Sequence, residues 1–273
     1  MDLRQQRPWR RSLGVIGSAS LLIGLTAIPA AGGRPPTAPP ADLRLQHVGS
    51  FSVQENGVSG DTSAEILDLT SDGDLMIYTD SPGGVIGFVD TSDASSPQPL
   101  GTLEVGDVTS AAIVRDAWLL VAVKESEGFV WPAGSLKIYD LETRELVRTL
   151  DLGGQPDSIA VSPNGERYAA IVIENERNED LDDGLIPQLP GGNLQVLDLA
   201  GQPDRWSLRT VDLTDLADVA PTDPEPEYVD INGRDQAVVS FQENNHLAIV
   251  DLRTASVIGD FSAGSVLLVN VDA

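Results

Sequence analysis

Carboxylate side chains are concentrated in one stretch of this sequence, between residues 174 and 184. Their oxygens are hard ligands of the kind that Ca²⁺ prefers, and they recur here at short intervals. Two glutamates further along the chain could supply ligands from a neighbouring structural unit. The spacing therefore predicts a Ca²⁺ site at a loop face, and no other cofactor is expected. The candidate metal ligands are Glu174, Glu176, Asp180, Asp182, Asp183, Glu227 and Glu243.

The same stretch departs from the EF-hand pattern of calcium loops. Two aspartates fit the third and fifth positions of that loop, but Asp183 stands where glycine is required. Leu189 stands where the bidentate glutamate is required. Two other interpretations stay open. The loop could be solvated acid without a metal, or Arg177 could pair with a neighbouring carboxylate and order the loop.

Few residues in this chain are suited to other kinds of catalysis. It has no cysteine, which excludes thiol catalysis, thiolate metal sites and iron–sulfur clusters. It has two histidines, His47 and His246. We expect His47 on a strand at the surface and His246 at the entrance of a strand, both in structural roles. A Gly-x-Ser-x-Gly elbow, a Walker loop and a dinucleotide fingerprint are missing from the sequence.

A short phrase of alternating apolar residues, followed by Asp and usually Leu, occurs four times in the sequence. The intervals between its aspartates are 50, 58 and 53 residues. Repeats of this length are typical of β-propellers and other repeat arrays. We expect each aspartate to end a strand and to accept hydrogen bonds from the turn that follows. The aspartates are Asp90, Asp140, Asp198 and Asp251.

Each phrase is flanked by the signals of three more strands. A strand, a tight turn and a second strand precede it, and turns such as Asp72-Gly73 and Asn164-Gly165 favour hairpins. A fourth apolar run follows it. The pattern predicts an all-β protein, a β-propeller of four-stranded antiparallel blades, with about four blades and the start of another. A β-sandwich is the alternative.

The two ends of the repeat region are less regular. Residues 48–53 have the alternation of a strand that would close the last blade, and residues 265–271 have that of a further strand. We therefore expect a fragment of a larger propeller, with a small closed ring as the alternative.

The N-terminal residues have the pattern of an export signal. Four arginines precede an apolar run over residues 13–28, and small residues follow. The predicted organisation is a signal peptide over residues 1–31, a proline-rich linker over 32–44 and the propeller over 45–273. The predicted location is secreted, periplasmic or at the cell surface. The alternative is a retained membrane anchor, although the apolar run is short for a spanning helix.

The charge of the chain limits its partners. It has 17 basic and 42 acidic residues, a formal net charge of −25. Such a chain repels nucleic acid and anionic lipid surfaces. We expect a protein or small-molecule ligand at a loop face, no nucleic acid, and no membrane span after signal cleavage.

Two segments resemble known bacterial secreted propellers. Glu225-Pro226-Glu227 and the hairpin over residues 242–245 are similar to the choice-of-anchor I family. The loop over residues 173–180 and the tail over 261–264 resemble relatives labelled esterase-like activity of phytase family. The resemblance, which spans about residues 45 to 270, implies an extracytoplasmic propeller, often one piece of a longer cell-envelope protein.

Two classes of function follow. The first is a binding or scaffolding module of the cell envelope. The second, implied by the phytase-like resemblance, is a Ca²⁺-assisted hydrolase of phosphoesters, for which no catalytic residue can be matched. Phosphate binding usually recruits Arg or Lys, and few are present here, which argues against the hydrolase.

Overall fold

The computed structural model describes residues 46–181 and 184–265. In that part of the chain, sixteen strands form four separate sheets of four antiparallel strands each. We call the sheets blades 1 to 4 in chain order. The strands of blades 1 and 2 are β1 (Ala64–Leu69), β2 (Leu75–Asp80), β3 (Val85–Asp90), β4 (Gln98–Glu104), β5 (Val108–Val114), β6 (Trp118–Lys124), β7 (Gly134–Asp140) and β8 (Leu146–Asp151). Those of blades 3 and 4 are β9 (Pro156–Val161), β10 (Tyr168–Ile173), β11 (Asn193–Asp198), β12 (Ser207–Val211), β13 (Pro226–Ile231), β14 (Gln236–Phe241), β15 (His246–Asp251) and β16 (Ser256–Ser262).

This architecture confirms the predicted propeller of four-stranded blades. The predicted signal peptide and linker, and the predicted strand over residues 265–271 except for its first residue, lie outside the described residues. Asp182 and Asp183 also lie outside them. No helix in the described ranges is long and apolar enough to cross a membrane.

The four aspartates of the repeated phrase occupy equivalent places. Each is the last residue of the third strand of its blade. The carboxylate of Asp140 accepts hydrogen bonds from the amides of Thr143 at 2.8 Å and Glu142 at 3.1 Å, which lower its pKa. The carboxylates of Asp90, Asp198 and Asp251 each accept a hydrogen bond from the backbone amide two residues further on. Each carboxylate therefore satisfies amides of the turn and ends the strand.

Neighbouring blades pack face to face through apolar side chains. Blades 1 and 2, 2 and 3, and 3 and 4 each share a buried cluster. The central strands of blades 2 and 3 are covered on both faces, and for this reason they contain continuous apolar runs such as Leu119–Val123. On blade 4, Tyr228, Val238 and Ile258 lie on the face turned away from blade 3 and are exposed.

The strand predicted over residues 48–53 is wrong. The segment has no strand, and Val53–Asn56 forms a single 3₁₀ turn. The buried amide of Asn56 donates to Tyr78 Oη at 3.0 Å and to the Phe88 carbonyl at 3.1 Å, and it accepts from the Gly101 amide at 2.9 Å. These bonds hold the segment against blade 1. His47, predicted on a strand, is exposed outside any strand.

Candidate functional site

The antiparallel order of each blade separates two ends of the molecule. At one end of the molecule, the first strand of each blade begins, the second ends and the third begins. We call this the acidic end. The long loop over residues 174–192 lies there, between β10 and β11. The connections into each first strand also lie there. The turns after the four repeated aspartates lie at the opposite end.

Arginines at the opposite end tie neighbouring blades together. Arg115 of blade 2 donates to the Leu199 carbonyl of blade 3 at 2.7 Å. Arg209 of blade 3 donates to the Leu252 carbonyl of blade 4 at 2.6 Å. Both arginines therefore have a structural role at the opposite end, where they join neighbouring blades.

A bulge recurs at the start of every first strand. In β1, β5, β9 and β13 the pairing register shifts directly after the first residue. Bulges re-aim side chains and are common beside functional sites. The residues at this position, which we call the rim positions, are Glu65, Thr109, Asp157 and Glu227.

Four carboxylates near the rim are related by the effect of their charges on one another's pKa, and we call them the carboxylate cluster: Asp157, Glu174, Glu225 and Glu227. Burial raises the pKa of Asp157 to about 6, with further contributions from the negative charges of Glu227, Glu176 and Glu65. Burial raises the pKa of Glu174 to about 8, and the charges of the other three cluster members add to it. Glu174 has no hydrogen bond or ion pair through its carboxylate to any described residue. The cluster thus holds more negative charge than its protein surroundings compensate.

Glu225 is the most deeply buried member, with 2% of its surface exposed. Its Oε2 accepts a hydrogen bond from Arg177 Nη1 at 3.0 Å, while its Oε1 is buried without a partner among the described residues. Burial raises its pKa to about 7, against the opposing effect of Arg177.

Arg177 forms ion pairs with carboxylates of two blades. Besides Glu225, it contacts Glu243 Oε1 at 3.1 Å and, at 4.0 Å, Glu179 of its own loop. Its Nε donates to the Gly184 carbonyl at 2.6 Å. The structure therefore shows the ion pairing that the sequence left open as one way of ordering the loop.

The other predicted ligands are not all in one place. Glu176 binds Lys124 Nζ at 2.8 Å, a hydrogen bond that lowers its pKa. Asp180 is exposed. Glu174 and Glu227 belong to the carboxylate cluster, Glu243 and Glu176 to ion pairs. Over residues 46–181 and 184–265, no three acidic or histidine side chains stand at the spacing of a preformed metal site.

Two buried asparagines position the strands that carry the cluster. Asn175 Oδ1 accepts from the Gln155 amide at 2.9 Å, immediately before β9. Asn244 Oδ1 accepts from the Glu225 amide at 2.9 Å, immediately before β13, and its Nδ2 donates to the Asp223 carbonyl at 2.9 Å. The side chains of Asn175 and Asn244 hold equivalent connections, one before blade 3 and one before blade 4. They therefore fix the backbone at Glu225 and at the rim.

We expect Asn244→Ala to lower the free energy of unfolding by about 2 kcal/mol, because it leaves buried backbone groups without partners. Urea denaturation of the full chain measures this loss. Asn164→Ala is the matched control, since Asn164 is exposed and its one bond, to the Gly233 carbonyl, is 3.4 Å long. Equal stability of the two variants would contradict the positioning role of Asn244.

The long loop returns to the sheet through a close backbone contact. A Cβ at Gly192 would lie 2.0 Å from the Ile173 carbonyl oxygen and 2.6 Å from Pro226 Cδ. Gly134 of blade 2 has the same relation to Pro156 of blade 3, because a Cβ at Gly134 would lie 2.3 Å from Pro156 Cδ. Glycine at these two positions lets the first strand of the next blade begin directly beside the loop.

Asp157, Glu225 and Lys124 are site residues that were not among the predicted metal ligands. A signal for Asp157 was present, because Pro156-Asp157 and Pro226-Glu227 hold equivalent places in consecutive repeats. His246 was placed correctly at the entrance of β15. Its ring stacks on Phe241, and its Nε2 lies 3.0 Å from Asp260 Oδ2, which is a structural role.

The four packed blades and the acidic end define a β-propeller module. The family model described as "Choice-of-anchor I domain" matches residues 65–273, and the chain belongs to this family. No curated protein matches the sequence.

One solved structure supports the fold, and a second is similar at a lower score. The β-propeller domain of Myceliophteria thermophila Cps50 (Swd1) matches with a TM-score of 0.51 and 13% identity over 74% of this chain. A nidogen/laminin complex matches with a TM-score of 0.49 and 14% identity over 73% of this chain. The chain spans 57% and 64% of the lengths of these two proteins. At 13% identity the likeness to the first of them concerns the fold alone. The phytase-like part of the resemblance stays a prediction.

Proposed function

We propose that this propeller is an extracytoplasmic binding module of the cell envelope, with its contact surface at the acidic end and a Ca²⁺ ion at the carboxylate cluster. The observation that carries the proposal is the environment of the Glu174 carboxylate. This carboxylate is half-buried, and burial together with the charges of four neighbouring carboxylates raises its pKa to about 8. Like charges held together in this way favour a cation that joins them.

The location outside the cytoplasm has its own support. The first 31 residues have the composition of an export signal. The name of the family refers to a choice of anchor, which fits a protein held at a cell surface. The chain also lacks thiols that an oxidising environment would alter.

The donor set fits Ca²⁺ in its chemistry. Asp157, Glu174 and Glu227 supply hard carboxylate oxygens, and Glu225 Oε1 is buried without a hydrogen-bond partner in the described part of the chain. As they stand these groups are not a preformed cage, so binding requires the side chains to converge. Bound Ca²⁺ would neutralise the cluster and stiffen the rim.

We expect the melting temperature of the full chain to rise with free Ca²⁺, because an ion that binds only the folded state stabilises it by mass action. The gain is about 1.4 kcal/mol for every tenfold increase in Ca²⁺ above Kd. A thermal melt in Ca²⁺ and in chelator, at matched ionic strength, measures the shift.

The matched control is the double variant Asp157→Asn with Glu174→Gln, which keeps the shape of the cluster and removes two charges. Its melting temperature should not respond to Ca²⁺. If the unaltered chain melts at the same temperature in Ca²⁺ and in chelator, the metal part of the proposal is wrong.

Phosphoester hydrolysis is not favoured by the geometry. A phosphate would need a cation beside the cluster. Lys124 and Arg177, the cations that contact carboxylates there, are both engaged in ion pairs. Phosphatase and esterase substrates, assayed on the samples used for the melts, should show no turnover above that of the double variant.

A further inference from the structure

A loop at the acidic end presents three large apolar side chains to solvent. The loop over residues 125–133 joins β6 to β7, and its apex carries Phe129, Val130 and Trp131. Val130 is 67% and Trp131 is 85% exposed. A tryptophan this exposed is uncommon, since its large apolar surface is normally buried.

A second group of exposed apolar residues lies beside it, on the long loop of blade 3. Leu181, Leu185 and Leu189 are all more than half exposed. Phe129, Val130, Leu181 and Leu189 line a groove of about 270 Å³ between the two loops. We call the six residues on these loops the apolar patch. The four that line the groove form contiguous apolar surface, and such surface marks interaction sites.

The long loop holds its shape through internal hydrogen bonds. Gln188 Nε2 donates to the carbonyls of Asn178 at 3.1 Å and Leu185 at 3.2 Å, and its Oε1 accepts from the Asn178 amide at 2.9 Å. The Gln188 amide donates to the buried Asp223 carboxylate at 2.6 Å. The groove is therefore already formed, and a ligand would not have to order it.

The charge around the patch has one sign. The described residues of the two loops include six acidic residues and one basic residue, Arg177, which is bound by carboxylates. Glu125, Glu127, Glu179 and Asp180 are exposed at its margin. A partner that fits an apolar groove inside an acidic margin must offer an apolar side chain flanked by positive charge.

We propose that the apolar patch docks an extended segment of a partner protein, with large aliphatic or aromatic side chains seated in the groove and lysine or arginine on both sides. The inference rests on the binding-module part of the proposed function and does not depend on Ca²⁺. The apolar side chains supply the anchor, and the acidic margin supplies orientation and a faster encounter.

The probe is an acetylated, amidated hexapeptide, Lys-Lys-Leu-Leu-Lys-Lys, titrated into the full chain by calorimetry in chelator at low salt. We expect saturable binding that weakens as salt is added. The peptide Lys-Lys-Ser-Ser-Lys-Lys should bind at least tenfold more weakly because it lacks the anchor. Glu-Glu-Leu-Leu-Glu-Glu should not bind.

The double variant Val130→Ser with Leu189→Ser tests the site, because both side chains line the groove. It should lose at least tenfold in affinity, while Ile258→Ser, which removes an exposed apolar side chain from blade 4, should keep it. Both variants alter exposed residues, and melting curves verify that they fold. In the unaltered chain, a blue shift of tryptophan fluorescence on binding would report burial of Trp131.

Three results would overturn the proposal. One is the absence of binding at millimolar peptide, and another is equal affinity for the leucine and serine peptides. The third is binding to phosphatidylcholine vesicles that the double variant loses, without binding to the peptide, which would make the patch a lipid contact. Because the titrations are run in chelator, any of these leaves the Ca²⁺ melts to decide the metal site separately.

Discussion

Replacement of Arg177 by alanine is expected to lower the free energy of unfolding by about 3–5 kcal/mol at pH 8, the range typical of breaking a buried ion pair. The reason is Glu225, which is 2% exposed and has Arg177 as its ionic partner. Without the guanidinium, its carboxylate must either stay buried and unpaired or take up a proton. The loop would also lose its bond to the Gly184 carbonyl.

Urea denaturation at pH 8 and pH 5 measures the effect. The loss should shrink at pH 5, because Glu225, with a pKa already near 7, is neutral there and needs no partner. Arg253→Ala is the control, since Arg253 is 60% exposed in its pair with Asp251 and exposed pairs contribute little. If the two arginine variants lose the same stability, or if the loss at Arg177 does not depend on pH, the account of Glu225 is wrong.

Glu174→Gln is expected to stabilise the protein at pH 8.5 in the presence of chelator. Burial and neighbouring carboxylates raise the pKa of Glu174 from 4.5 to about 8. Between these values the folded state binds more protons than the unfolded state, so the free energy of unfolding falls as pH rises. One pKa unit corresponds to about 1.4 kcal/mol, and with partial solvent access we expect a gain of about 3 kcal/mol.

The gain should disappear near pH 4, where the glutamate is protonated in both states. Denaturation curves from pH 4 to 8.5 therefore test the sign as well as the size. Glu142→Gln, at an exposed position in the turn between β7 and β8, is the matched control and should leave the pH dependence unchanged. A Glu174→Gln variant whose stability follows that of the unaltered chain at every pH would show that Glu174 is not buried among like charges.

The blades could be predicted from sequence because their signals are local. Alternation of apolar residues, turn residues and the aspartate that ends each third strand all act within a few positions. Residues 48–53 alternate in the same way, yet they form no strand because Asn56 fixes the segment against blade 1. That outcome depends on contacts with residues far away in sequence.

The candidate site could be predicted only in part for a similar reason. Glu174 and Glu227 were both candidate ligands, and the negative charge of Glu227 helps to raise the pKa of Glu174. That they hold an ion together stays a prediction. The pairings of Glu176 with Lys124, and of Glu243 with Arg177, join different blades, and composition does not reveal such partners. Nothing in the sequence of β9 alone distinguishes Asp157 from other acidic residues. Only an alignment of the repeats shows that it is equivalent to Glu227.

Because of the bulge, the residue at each rim position can vary without disturbing the fold. A residue outside the regular ladder does not set the strand register, and the rim side chains contribute nothing to the apolar interfaces between blades. Thr109 shows that a neutral residue is accepted where the other blades have carboxylates. The rim residues are thus encoded by four codons, one in each repeat, that can mutate independently. Selection could change the charge of the rim in single steps, with the scaffold unchanged.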